Sequence, residues 1–194
     1  GTSDYNSGNA LTIGSEGSIY IASSNDLNDP ADILFSKYNV DGENQWTEFI
    51  RTSDYDSPKA LTTGSDGSIY ITGRTEGDLH GQQNSGGRDA FISKFSADGT
   101  KKWTKLLGYI NFDSASALTT GSDGSIYIAG GTDGVLGWIG LDGQKYSGGR
   151  DAFISKYNPD GTKQWTKLLG SASYDYAFAL TKGSDDSIYI AGET

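Results

Sequence analysis

With one histidine, His80, and no cysteine, the chain lacks the parts for a Ser/His/Asp set, a thiol nucleophile or a histidine-based metal centre. Its chemical resource is carboxylate. Two acids at the right separation can hydrolyse a glycoside, and calcium takes about six to eight oxygens converging from a compact loop. The densest oxygen cluster is Asn25, Asp26, Asn28, Asp29 and Asp32. It makes Asp26, Asp29 and Asp32 the candidate calcium ligands, although the run lacks the Asp-x-Asp-x-Asp-Gly order and closing Glu of a calcium hand. The competing reading is a solvated loop with a turn at Pro30. The Asp-Gly pairs at 41–42, 66–67, 98–99, 123–124 and 160–161 also offer carboxylates, but one per hairpin, and read first as turn chemistry.

Asp32, Asp89 and Asp151 recur at the same place in successive repeats, with Arg88 and Arg150 before two of them. An acid repeated along an array reads as a structural acceptor of backbone N–H groups, since a catalyst is not needed three times. A ligand surface is sought instead in the long loops. The third repeat carries an insertion near Val135-Leu136-Gly137-Trp138-Ile139, so Trp138 is a candidate for stacking on a sugar or docking a partner protein. Tyr146, Gln82 and Gln144 join it as candidate ligand-binding residues of the same loops. The alternative is that Trp138 folds onto its own sheet.

The elements behind these residues follow from repetition. Trp46, Trp103 and Trp165 succeed one another at 57 and 62 residues, and the Ser-Ile-Tyr-Ile run occurs four times, around Tyr20, Tyr70, Tyr127 and Tyr189. Such a period, carried by strand-like text, marks a modular β array whose units need their neighbours. In the third unit, residues 117–120 and 125–130 bracket an Asp-Gly turn and form one hairpin. Residues 151–157 and 163–169 flank Asn158-Pro159-Asp160-Gly161 and form a second. Each unit is thus predicted to hold four strands. In Ser68-Ile69-Tyr70-Ile71 and Ala90-Phe91-Ile92-Ser93-Lys94-Phe95 both faces carry apolar groups, so each sheet must be covered on two sides. Four-stranded sheets stacked around an axis meet that demand, and this architecture is the β-propeller. Trp46, Trp103 and Trp165 are then the packing residues between blades.

The segments Leu79-His80-Gly81-Gln82-Gln83-Asn84-Ser85-Gly86-Gly87-Arg88-Asp89-Ala90-Phe91-Ile92-Ser93-Lys94 and Asp98-Gly99-Thr100-Lys101-Lys102-Trp103-Thr104-Lys105-Leu106-Leu107-Gly108 resemble the bacterial β-propeller repeat called SBBP. The Gly-Ser-Asp-Gly-Ser-Ile-Tyr-Ile-Ala-Gly run from Gly121 resembles it too. The resemblance spans essentially the whole chain, and implies a propeller blade of large bacterial secreted or cell-surface proteins. In the first unit, residues 25–32 replace the longer Leu-x-Gly-Gln loop, so what that loop does in the family does not carry over there.

The expected fold is therefore all-β, with blades at 1–50, 51–107 and 108–169 and the first hairpin of a fourth at 170–194. This makes about three and a half blades, either a partial propeller or half of an oligomeric ring. A bare blade face of roughly 400 Å² costs on the order of 10 kcal/mol at about 25 cal/mol per Å². Missing sequence or a second copy is expected to cover it, and a start at Gly1 with no Met reads as an excised piece of a longer chain. A net charge of −10 and a pI near 4.4 argue against nucleic acid as a partner. No stretch is long and apolar enough for a membrane helix, so membrane insertion is not expected. These features point to a non-enzymatic scaffold or interaction module, outside the cell or on its surface, with adhesion, self-assembly or matrix building as its role. Protein or self-association is the expected partnership and calcium the one candidate cofactor. The alternatives are a lectin-like carbohydrate binder and a glycoside-active fragment.

Overall fold

A computed structural model describes residues 6–25, 32–134, 137 and 139–194. Among them the chain is all-β apart from one short 3-10 turn at Leu141–Gly143. The first sheet is β1 (Asn6–Ile13), β2 (Ile19–Asn25), β3 (Asp32–Tyr38) and β4 (Asn44–Ile50), antiparallel and paired in chain order. The second repeats this with β5 (Asp56–Thr63), β6 (Ile69–Thr75), β7 (Asp89–Phe95) and β8 (Lys101–Leu107). The third comprises β9 (Asp113–Thr120), β10 (Ile126–Asp133), β11 (Arg150–Tyr157) and β12 (Lys163–Leu169). A fourth consists of β13 (Tyr176–Lys182) and β14 (Ile188–Glu193) alone.

The turns are set by residue type. Gly67 and Gly124 have φ of 75° and 76°, and Gly99 and Gly161 have φ of 87° and 86°, a region glycine enters without steric cost. The preceding Asp closes the same turn: its Oδ1 accepts the amide two residues on, from Ser68, Thr100, Ser125 and Thr162. These carboxylates are committed to their own turns, and among the described residues no three His, Cys, Asp or Glu side chains are grouped to hold a metal ion.

Alternation along the strands builds two cores on the two faces of the second sheet. Ile69, Ile71, Phe91 and Phe95 face the first sheet and meet Tyr20, Ile33, Phe35 and Ile50. Tyr70, Ala90, Ile92 and Leu107 face the third and meet Leu118, Ile126, Ile128, Phe153 and Tyr157. Sheets stack chiefly through their first strands, with β5 against β1 and β2, β9 against β5 and β6, and β13 against β9 and β10. The last core is smaller, Ala129, Ala152 and Ala177, because the fourth sheet brings only two strands to it.

Each first strand has a bulge: the partner register skips residues 9, 59, 116 and 178 in β1, β5, β9 and β13. A bulged residue is released from the ladder and its side chain re-aimed.

Candidate functional site

One end of the stack is organised by buried acids at the strand starts. Thr75 lies between Asp56 and Asp89 in the register of the second sheet, and Thr132 between Asp113 and Asp151 in the third. Asp56, Asp89 and Asp151 are fully buried. Asp89 Oδ2 accepts the Ser85 amide at 2.9 Å, Asp113 Oδ2 that of Tyr109 at 2.8 Å, and Asp151 those of Ser147 and Gly148 at 2.8 and 3.1 Å. Each thus ties down the turn before its own strand. Burial pushes the carboxyls of Asp56 and Asp113 up to about 6, against the hydrogen bonds that oppose it, and raises Asp89 as well. Consecutive sheets are clasped here too, since the Asp113 amide donates to the Arg88 carbonyl and that of Asp175 to the Arg150 carbonyl, at 2.7 and 3.0 Å. These acids are buried and anchor the strand starts by holding backbone amides.

The opposite end carries a latch between sheets. Tyr20, Lys37 and Trp46 stand in one cross-strand row, as do Tyr70, Lys94 and Trp103, and Tyr127, Lys156 and Trp165. Within each row the lysine ammonium lies over the tyrosine ring, at 5.6, 5.4 and 5.4 Å from its centroid. The rows then reach forward to the next unit. Tyr20 and Lys37 both donate to the Ala97 carbonyl at 3.4 Å, and Trp103 and Lys94 donate to that of Pro159 at 3.1 and 3.3 Å. A Cβ built on Gly99 would sit 3.3 Å from the Trp46 ring, and one on Gly161 2.9 Å from Trp103, so each indole rests on the next Asp-Gly turn. Trp165 meets no such turn among the described residues and is 38% exposed. The same holds for the fourth sheet: Tyr20 and Tyr70 are 2% exposed, whereas Tyr189 is 57% exposed.

The residues singled out as loop binders fall differently. Tyr146 is 3% exposed, with its hydroxyl 3.1 Å from Thr132 Oγ1, so its ring packs the loop and is not presented for stacking. Gln144 donates to the Thr166 carbonyl at 2.6 Å and accepts the Leu168 amide at 3.1 Å, which straps the loop to β12. Gln82 is half-buried, and its backbone exchanges two hydrogen bonds with Leu79 in a tight turn. Trp138, Asp26 and Asp29 lie outside the described residues. Asp32, the third calcium candidate, is buried and ion-paired with Arg51 at 3.1 Å. His80 hydrogen-bonds Thr104 Oγ1 at 2.8 Å, which itself pairs with Ser93 Oγ at 2.8 Å, and burial lowers the imidazole to about 4. Ser36–Thr47 and Ser155–Thr166 make the same cross-strand pair without a histidine, so the pair belongs to the sheet.

Sequence reasoning passed over Lys59 and Arg74, which the β5 bulge and β6 bring to one hollow. The three other units place Asn9, Ser116 and Phe178 where unit two has Lys59, and Ser24, Gly131 and Glu193 where it has Arg74.

No family model matches the chain. It is 32% identical over 120 residues to the regulatory protein FlaEY of Caulobacter vibrioides, a match that takes in 60% of this chain and 13% of that protein's length. A crystal structure of a protein of unknown function from Dyadobacter fermentans superposes with a TM-score of 0.59 at 13% identity, covering 94% of this chain and 55% of the other. That likeness extends the fold alone.

Proposed function

We propose that the chain is an arc of a β-propeller that serves as a non-enzymatic scaffold or interaction module, in a bacterial protein secreted or displayed at the cell surface. The observation that carries this reading is the contrast between the latches. Trp46 and Trp103 are seated on the Asp-Gly turn of the following sheet, while Trp165 on β12 and Tyr189 on β14 are exposed. Strand edges and apolar patches of this kind are places where another chain or segment adds. The occupant that fits is a second hairpin of the β11–β12 type, which would pair with β14 and bring an Asp-Gly turn to Trp165. Repeat-to-repeat packing and the resemblance of the 79–108 text to SBBP repeats support the propeller reading. The anchoring role of the buried acids supports a scaffold over a hydrolase.

Light scattering and sedimentation velocity test it, alone and with a synthetic peptide of residues 150–169. Association of copies or capture of the peptide is expected, and Ile190→Lys, on β14, should weaken either. A monodisperse monomer that ignores the peptide would overturn the proposal.

A further inference from the structure

We propose that the hollow spanning the second, third and fourth sheets binds a small organic anion, a carboxylate on an apolar or ring-shaped body, with Lys59 and Arg74 taking the charge. The cavity is about 320 Å³ and is lined by Lys59, Arg74, Arg88 and Arg150 with the rings of Phe112 and Phe178. Four cations at one place stand out in a chain of net charge −10.

Two of the four are already neutralised. Arg88 pairs with Glu76 at 2.7 Å and stacks over Phe112 at 5.1 Å, and Arg150 pairs with Asp133 and stacks over Tyr176 at 5.4 Å. Lys59 and Arg74 differ in lacking a carboxylate partner, although the Arg74 guanidinium also lies over a ring, that of Tyr55, at 5.8 Å. Among the described residues neither is in an ion pair, both are half-buried, and Arg74 Nε is a buried donor without an acceptor. A buried, unmatched donor on a cation is costly, and the natural acceptor is an anion from outside. Burial and the neighbouring Arg74 and Arg88 pull the Lys59 ammonium downward, the response of a cation held among cations.

The fold does not require these charges. The first unit makes the same bulge and strand pair with Asn9 and Ser24 in their places. Phe112 and Phe178, 48% and 54% exposed, supply an apolar wall for the body of the ligand. Two acids also line the hollow. Asp113 is 1% exposed and holds the Tyr109 amide, so it is turned into its own turn, whereas Glu193 is exposed at the rim and opposes an incoming anion.

Calorimetric titration of the full chain with benzoate, acetate and inorganic phosphate tests the assignment. Benzoate is expected to bind more tightly than acetate or phosphate. Lys59→Asn and Arg74→Ser borrow residues that the first unit folds with, and each should weaken benzoate binding about tenfold, the loss of one charge-assisted hydrogen bond. Glu193→Gln should strengthen it, and Lys101→Gln, on β8 and outside the hollow, should leave it unchanged. The proposal is overturned if benzoate gives no saturable binding, if Lys101→Gln weakens binding as much as Lys59→Asn, or if phosphate binds as tightly as benzoate. It is equally overturned if both cation variants, folded by circular dichroism, bind as the wild type does.

Discussion

Trp103 donates its indole N–H to the Pro159 carbonyl 3.1 Å away, across the boundary between the second and third sheets. Its ring also rests on Gly161 of the same turn, so one side chain joins two repeats by a hydrogen bond and a packing contact. Trp165 occupies the same strand position in the third sheet, has neither among the described residues and is exposed. Trp103→Ala should therefore cost about 2–4 kcal/mol and Trp165→Ala under about 1 kcal/mol. Urea denaturation of the two variants checks the order; equal losses would mean that the contact across the boundary contributes nothing.

The turn side of the latch makes a second comparison. Gly42 and Gly161 both have positive φ, 80° and 86°, but an added Cβ meets nothing within 4 Å at Gly42 and the Trp103 ring at Gly161. Gly42→Ala should cost only the backbone strain, about 1 kcal/mol, and Gly161→Ala about 1–2 kcal/mol more. Thermal melts of both variants measure the difference.

How far the sequence could be read depends on whether a feature repeats. The Asn158-Pro159-Asp160-Gly161 turn and the apolar residues on both faces of Ile69–Ile71 and Phe91–Phe95 were legible, because turn chemistry and a period of two are local signals. The bulges were not legible, since a skipped residue such as Lys59 changes neither composition nor alternation enough to mark it. Tyr146 was misread for a related reason: an aromatic in a long loop looks available until the loop is seen to close over it. Lys59 and Arg74 come from different strands of one hairpin, and only the register places them together.

Stability should fall as pH rises from about 4 to about 6. Asp56 and Asp113 ionise near 6 in the folded protein and near 3.8 in an ordinary setting. Within that window the folded chain holds protons that the unfolded chain has released, so folding is favoured at the acid side and each group costs about 3 kcal/mol once both states are ionised. Asp113→Asn should narrow the stability difference between pH 4 and pH 7 by about that amount. Asp113→Ala should narrow it equally, since it too removes the titrating group, but should be about 1–3 kcal/mol less stable than Asp113→Asn at both pH values, because the Tyr109 amide loses its acceptor. Denaturant titrations at the two pH values separate these outcomes.

Hydrogen exchange should grade the sheets. β2, β6 and β10 are flanked on both sides by strands, whereas β14 pairs only with β13 among the described residues. Amides of β14 are expected to exchange well before those of β6, and the 150–169 peptide should slow them. Protection of β14 equal to that of β6 in the free chain would contradict an open edge.

The indoles of Trp46 and Trp103 both reach forward, onto the turn of the unit that follows, and among the described residues neither reaches back. The stack is therefore a polar object with unlike extremities, and identical copies joined through the same latch must queue head to tail instead of meeting about a two-fold axis. Such an association closes when its rotation divides the circle and otherwise winds on as a filament, so the pitch between neighbouring sheets decides between a finite ring and an endless fibre.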